Sequence, residues 1–550
     1  MLRQSYYRAL NAIPLAAFRR QAKQFTSALS NPEAVQRDIL FDLLKQNRDC
    51  AFGARHGFES IRTVREFQDR VPVASYDDLA PWVERIKAGE QNVLTSEPVL
   101  AFEKSSGSAS AAKYIPYTRT LQTQFQAALA PWLTDMHKSY PDVSRGSAYW
   151  VVTPLSRQKE RTEGGIRIGF ESDAEYFAPL QRSILRRTLA IPEALARVPD
   201  LDDCLYLTLR FLLQGRSLAF ISVWSPSFLL ILLERLQEYG ERLVQDLTAG
   251  KVDIAASLPS RLTRWPVRDI RQAGNLRAML RRGRIEPSVL WPRLSLISCW
   301  MSAASASIKC EVEEKFPGVP IQGKGLLATE GVVSIPIESQ GAPVAAVTSH
   351  FFEFVDHSSG ECRLLTELEQ GREYSVVLTT GGGLWRYRLG DRVRVAGFAQ
   401  RTALLEFIGK EDCVSDLRGE KLNSLFVSHS LAGFESCRSA SFSMLAPAEA
   451  KPPHYILFIE SRRCTPDLAA RLDRKLQENP HYEYCRRVGQ LGPLQVFMID
   501  RNAHNSYVNR CIGLGHRAGN VKVTSLHRAT GWEHVFQGTY METRTAEFCA

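Results

Sequence analysis

Val376-Val-Leu-Thr-Thr-Gly-Gly-Gly-Leu-Trp-Arg-Tyr-Arg-Leu-Gly-Asp391-Arg-Val-Arg-Val395 is the stretch from which the fold is read. Its opening β-branched and apolar run, Val376 to Thr379, predicts a strand. Three glycines then permit a tight turn. Beyond Asp391, valine and arginine alternate, which predicts a second strand with one buried face. An aspartate held beside a tight turn can accept two hydrogen bonds from a ribose diol. A lone Gly-Asp pair reads more readily as an ordinary turn with a solvated carboxylate.

Working outward, short β-rich runs alternate with helical runs between about residues 145 and 400. They include Ala148 to Val152, Ala219 to Val223, Leu294 to Ser298, Val344 to Val347, Phe351 to Val355 and Arg392 to Ala396. That alternation predicts an α/β architecture. The first hundred residues are helical in pattern, with amphipathic runs at Asp38 to Gln46 and Tyr76 to Lys87. After about residue 410 the texture becomes α+β. Strands at Tyr455 to Ile459 and Leu494 to Ile499 flank a helix that Thr465 and Pro466 open and that stops before Pro480. The expected organisation is a large multi-layer N-terminal domain, residues 1–410, and a small mobile C-terminal lid domain, residues 411–550.

Composition narrows the function classes. Hydrophobic residues make up 44% of the 550, enough for a substantial core. The most apolar stretch, Leu218 to Leu233, is broken by Ser222, Ser225, Pro226 and Ser227, so it reads as strand, turn and helix and not as a membrane span. Arg3 and Arg8 are followed by no compact apolar core, so no secretory signal is expected. The net charge of +10 is spread out except at Arg261 to Arg284, where eight arginines face one acid, Asp269. With Trp265 the only aromatic there, that run reads better as a solvated face near an anionic substrate than as a nucleic-acid surface. Neither a nucleic-acid nor a membrane partner is expected. Eleven cysteines without a CxxC fit reduced thiols in a cytoplasm. Cys299 reads as a buried apolar residue, and His350 as a satisfied edge-strand histidine.

Two more segments carry chemistry. In Glu103-Lys-Ser-Ser-Gly-Ser-Ala-Ser-Ala-Ala-Lys113, small residues let backbone N–H groups and hydroxyls approach phosphate oxygens, and the β-like flanks suggest an ordered hairpin. The same composition also suits a flexible linker. In Gly325-Leu-Leu-Ala-Thr-Glu330-Gly, the threonine offers a hydroxyl to a phosphate and the glutamate a carboxylate to Mg²⁺. Gly323-Lys-Gly325-Leu-Leu-Ala328 matches GxGxxA, but strand-like residues follow it where a dinucleotide fingerprint opens a helix.

In this order, the three segments resemble the nucleotide motifs of the adenylate-forming enzyme superfamily. Within it, the chain is similar to the Gretchen Hagen three (auxin-responsive promoter) family of acyl acid amido synthetases. Further matches are Val71-Pro-Val-Ala-Ser-Tyr-Asp-Asp-Leu79, Arg85-Ile-Lys-Ala-Gly-Glu90, Trp291-Pro-Arg-Leu, Phe352-Glu-Phe354 and Glu420-Lys421. The resemblance implies an ATP-dependent ligase that activates a small carboxylic acid as acyl-AMP and transfers the acyl group to an amine, with that of an amino acid expected. Coenzyme A or another acceptor, and a non-catalytic nucleotide-binding relic of the fold, are the alternatives.

Carried over residue by residue, Ser105, Ser106, Gly107 and Ser108 hold ATP phosphates and Lys113 closes their loop. Ser302 and Ala303 meet adenine through the backbone. Thr329 touches the α-phosphate, Glu330 holds Mg²⁺ and serves catalysis, and Asp391 holds the ribose. Lys410 sits at the hinge. Lys522 is the C-terminal lysine that enters the site, with Lys421 a further catalytic candidate. Two departures stand out. Ala111 and Ala112 replace the loop's usual second glycine, and Leu326 stands where the family carries an aromatic against adenine. The identity of the acid and the oligomeric state are not legible.

Overall fold

The structure is a computed structural model describing residues 2–541 apart from 106–112, 152–160, 170–185, 199, 215–216, 253–266, 302–305, 412–413, 462, 515 and 517–520. Four parallel strands, Ser147–Trp150, Leu218–Ser222, Leu296–Trp300 and Ile321–Lys324, lie side by side in that order. The middle two are buried at every position, which is why they read as continuous apolar runs. Helices Leu201–Leu213, Pro226–Glu238 and Ile270–Arg282 share one core with them. The strand expected from Leu294 begins two residues later, because the Leu294 N–H bonds back to Trp291 O at 3.0 Å and holds that end in a turn.

The second sheet is antiparallel and seven-stranded. Its order is Cys362–Leu364, Phe351–Asp356, Glu373–Thr379, Tyr387–Ala399, Thr402–Lys410, Val344–Ala345 and Ser334–Ile335. The N-terminal helices are stitched onto it. Gln36 on helix Pro32–Gln46 donates to Val347 O at 2.8 Å and His350 O at 2.7 Å, and accepts from the Phe352 N–H at 2.8 Å. Helix Tyr76–Lys87 matches its expected bounds and opens with a Ser75–Asp78 capping box.

His350 is a correction. It lies in a bend just before strand Phe351–Asp356 and is fully buried, not on an edge strand. Its Nε2 accepts the Val332 N–H at 3.1 Å and its Nδ1 meets Gln124 Oε1 at 3.1 Å. Burial pushes its pKa down to about 3, so it stays neutral and packs as a core residue.

The glycine turn ties this sheet to the Ser-rich hairpin. A Cβ on Gly381 would stand 2.3 Å from Thr120 Cγ2, and one on Gly383, at φ +87°, would stand 2.7 Å from Leu94 Cβ. No side chain fits either place. Thr118 Oγ1 donates to Gly381 O at 2.8 Å, and Trp385 Nε1 donates to Leu94 O at 2.9 Å. Arg386, itself at φ +46°, is buried and fully engaged. It grips the buried Glu353 carboxylate through Nε at 2.8 Å and Nη2 at 2.9 Å, and donates to Gln68 O at 2.8 Å and Val71 O at 2.7 Å.

The C-terminal residues form a sheet of their own, ordered Phe442–Ala448, His454–Glu460, Gln495–Ile499 and Gly538–Tyr540. Each of its faces carries a separate core. Thr465 and Pro466 do not open the helix. It runs Leu468–Leu476 from an Asp467 cap, with the Leu468 N–H on Thr465 O at 3.0 Å. Pro480 starts a further helix, Pro480–Arg487, capped by Asn479. Among the described residues no helix is long and apolar enough to cross a membrane, and the cysteines, Cys299 included, are free thiols.

Removing one partner of a buried, bidentate ion pair leaves the other charge uncompensated. Arg386→Met should therefore lose ~3–5 kcal/mol of stability in urea titration, and Glu353→Leu in the same chain should recover much of that loss. Equal losses in the single and double variants would show that the pair is not the clamp.

Candidate active site

The site is assembled where the parallel sheet, the antiparallel sheet and the C-terminal segment meet. The Ser-rich segment is an antiparallel hairpin, Ala101–Ser105 against Lys113–Tyr117, with Ser105 opposite Lys113. The tip residues Ser106, Gly107 and Ser108 lie outside the described residues, as do Ser302 and Ala303.

The hairpin's second strand reaches the Thr-Glu segment directly, because Tyr117 Oη donates to Thr329 O. Thr329 and Glu330 form the tip of a tight hairpin and not the end of a long strand. The Ala328 N–H bonds Gly331 O at 3.0 Å, and Leu327 pairs with Val332. Gly331 is needed there, since a Cβ would stand 2.9 Å from His350 Nε2.

Asp391 and Lys410 face each other across two adjacent strands, with Lys410 Nζ 3.3 Å from Asp391 Oδ1. That contact is an ion pair without the alignment of a hydrogen bond, and Asp391 Oδ1 is buried with no hydrogen-bond partner. Glu330 is buried nearby. Burial pushes its carboxyl pKa up; Lys410 and Lys113 pull it down, and Asp391 pushes it further up.

Lys113 Nζ reaches Tyr387 Oη at 3.5 Å, which links the Ser-rich hairpin to the strand that carries Asp391. Lys522 arrives from the C-terminal region. As a residue it is exposed, but its ammonium stands 3.7 Å from the centroid of the buried Trp300 ring. Burial of that ammonium lowers its pKa to about 8; Asp391 opposes the shift and Lys410 adds to it.

Five expected residues, Lys113, Glu330, Asp391, Lys410 and Lys522, are thus brought within electrostatic reach of one another. Leu326 and Lys421 are not part of this group. Leu326 is buried in the main core, with its N–H on Ser334 Oγ at 3.0 Å. Lys421 is exposed on a turn at φ +46°. Its neighbour Glu420 is the buried member, holding that turn through the Leu417 and Arg418 N–H groups at 2.7 Å each and accepting from Tyr455 Oη. The stretch after Lys410 is fastened as well. Glu411 accepts from Arg388 Nε at 2.9 Å and from Ser375 Oγ, and its N–H bonds Gly390 O at 2.7 Å.

Sequence reasoning missed Trp300 and Phe407, whose rings meet edge-on at 5.1 Å beneath Lys522. An aromatic at the C-terminal end of a parallel strand was the available signal.

Chemically, two carboxylates among three lysines suit a polyanion together with a divalent cation. The orphaned Asp391 oxygen fits a hydroxyl donor such as a ribose. The Glu330 carboxylate, disfavoured as an anion by burial, fits a cation beside it. No group of three or more metal-binding side chains occurs among the described residues. Glu330 with substrate oxygens matches the way Mg²⁺ is commonly held.

Comparison with known proteins gives the family. The GH3 family N-terminal domain matches residues 21–321, the GH3 family central domain residues 344–410 and the GH3 family C-terminal domain residues 426–530. A probable indole-3-acetic acid-amido synthetase of Oryza sativa subsp. japonica is 25% identical, covering 89% of this chain and 90% of its own. A jasmonoyl–L-amino acid synthetase of Nicotiana attenuata is 22% identical over 90% of both chains. The fold superposes on the solved structure of an acyl acid amido synthetase in complex with 2,4-DB, with a TM-score of 0.82 at 18% identity, covering 95% of this chain and 97% of that one. With family domains spanning most of its length, this chain belongs to the GH3 family.

Proposed function

We propose that this chain is an ATP-dependent acyl acid amido synthetase, which forms an acyl-AMP from a small carboxylic acid and passes the acyl group to an amine, the α-amine of an amino acid being favoured. The observation that carries the proposal is the convergence of Glu330, Asp391, Lys113, Lys410 and Lys522 in one cleft. Its relatives' names, amido synthetases for indole-3-acetic acid and for jasmonate, support the acid and amine classes.

A free carboxylate is a poor acyl donor, because its leaving group would be oxide. Its oxygen attacks the α-phosphorus of ATP, the bond to pyrophosphate breaks, and the acid acquires AMP as leaving group. The amine then attacks the acyl carbon, the bond to AMP breaks, and an amide forms with release of the amine proton. Glu330 would hold Mg²⁺, which would neutralise phosphate charge when bound.

The chain's own residues do the rest. Asp391 orients the nucleoside, the hairpin from Ser105 to Lys113 cradles the phosphates, Thr329 stands at the α-phosphate, and the Lys522 ammonium meets charge that develops on phosphate. Residues 411–550 serve as the lid, turning at Lys410 after the first half-reaction and keeping water from the adenylate. Lys421, exposed in this arrangement, is the lysine a rotated lid presents.

Lys522 gives the first test. Its folded pKa, about 8, lies below the ordinary 10.5, so the docked arrangement gains stability as pH rises from 8 towards 10.5 and carries a constant penalty below 8. Labelling of Lys522 by an amine-selective reagent, read by peptide mass, should titrate near 8, and ATP with Mg²⁺ should move that midpoint upward. A midpoint above 10 without nucleotide would remove Lys522 from the cleft.

The second test is catalytic. Carboxylic acid-dependent ATP–pyrophosphate exchange should fall at least about tenfold in Glu330→Ala and in Asp391→Ala, if each removes ~1.5 kcal/mol or more at the transition state. Near wild-type exchange in both variants would overturn the assignment.

A further inference from the structure

The C-terminal rim of the parallel sheet carries a second lysine whose surroundings differ from the charged cleft. Lys324, the last residue of its strand, is buried. Its Nζ lies 2.7 Å from Ser222 Oγ and 3.4 Å from Ser298 Oγ. The same ammonium stands 5.1 Å from the Trp132 ring, 5.6 Å from Trp150 and 5.5 Å from Trp224. Two hydroxyls fix its height and three indoles wall it in. Trp132 is locked by its Nε1 donating to Gln322 Oε1 at 2.8 Å. Trp150 and Trp224 are half-buried.

Register places this enclosure beside the reaction centre. Lys324 pairs directly with Trp300, the ring over which the Lys522 ammonium stands. Side chains two apart on neighbouring strands share a face, so Ser222, Ser298, Trp300 and Lys324 look the same way. In open parallel sheets, ligands bind outside the carboxyl ends of the strands. An acid whose carboxylate reaches the phosphate beside Lys522 therefore extends over Trp300 towards Lys324.

We infer that the Lys324 enclosure is the acyl-specificity subsite, and that it selects flat acids bearing a hydrogen-bond acceptor (a keto, hydroxyl or second carboxylate oxygen) at the end remote from the reacting carboxylate. This rests on the ligase reading above. Indole walls favour a planar frame over a branched aliphatic one. A fixed ammonium donor distinguishes an acid that accepts a hydrogen bond from one that presents only C–H.

The experiment compares matched pairs across aryl, arylalkyl and alicyclic frames, for example phenylacetate against 4-hydroxyphenylacetate and 4-carboxyphenylacetate, by ATP–pyrophosphate exchange. In the wild type the acceptor-bearing member should be favoured at least about tenfold in kcat/KM. Lys324→Met should bring each pair to within about threefold, with a melting temperature close to that of the wild type reporting that the variant is folded. Quenching of tryptophan fluorescence by the acid alone gives the same ranking without turnover, and Trp224→Leu should weaken binding of both members.

A wild type without preference within pairs, or a folded Lys324→Met that loses both members equally, overturns the inference and leaves the ligase reading intact. Should Lys324→Met not fold, the wild-type pair ratios and quenching decide. Absence of exchange with every acid removes the ligase reading, and this one with it.

Discussion

Burying Glu330 beside Asp391 is the constraint around which the site is arranged. Two carboxylates in a shared low-dielectric space repel, and each loses hydration. Lys410 compensates Asp391, but the Lys410 side chain is 50% exposed. Solvent screens such a pair, which leaves it worth ~1 kcal/mol or less. Burial therefore wins at Glu330, and its carboxyl titrates above the ordinary range. A cation that binds there is favoured because it relieves a cost the fold already bears.

Holding those groups still falls to residues that touch no ligand in this reading. Within the Leu384 to Asp391 segment, Trp385 is anchored to Leu94, Arg386 to Glu353 and two carbonyls, and Tyr387 lies fully buried against the hairpin lysine. Arg386 keeps a left-handed backbone that a non-glycine residue adopts only when its surroundings over-determine it. A motif that reads as one functional signature thus divides in two. Most of it fixes the turn against the Ser-rich hairpin, and one carboxylate at its end faces Lys410.

That division explains what was legible in the sequence. Glu330 and Asp391 were readable because each sits in a local pattern, a Thr-Glu pair before a glycine and an aspartate after a glycine turn. The helix Tyr76–Lys87 was readable to the residue because its capping box is local. Lys522 carries no local signal and came only through resemblance. Trp300 and Lys324 carry less still, being single residues that long-range pairing of parallel strands brings together. His350 looked like an edge-strand residue because its partners, Val332 and Gln124, come from distant segments. The helix after Thr465 started late because the Thr-Pro pair forms a turn whose carbonyl, and not its side chain, takes the first amide.

The docking of the C-terminal region follows from the same economy of charge. Ile231, on helix Pro226–Glu238, enters the C-terminal core beside Phe442 and Phe458, and Asn505 donates to Glu234 on that helix. Apolar burial holds the contact, yet carboxylates gather around it. Burial raises the Glu234 and Glu311 carboxyls, and Glu460 from the C-terminal sheet pushes both further. Like charges across a contact make its closure less favourable without preventing it. An interface built this way is held by a patch of hydrocarbon and loosened by its own acids. That is the balance a lid needs if it is to deliver Lys522 to one half-reaction and withdraw it for the next.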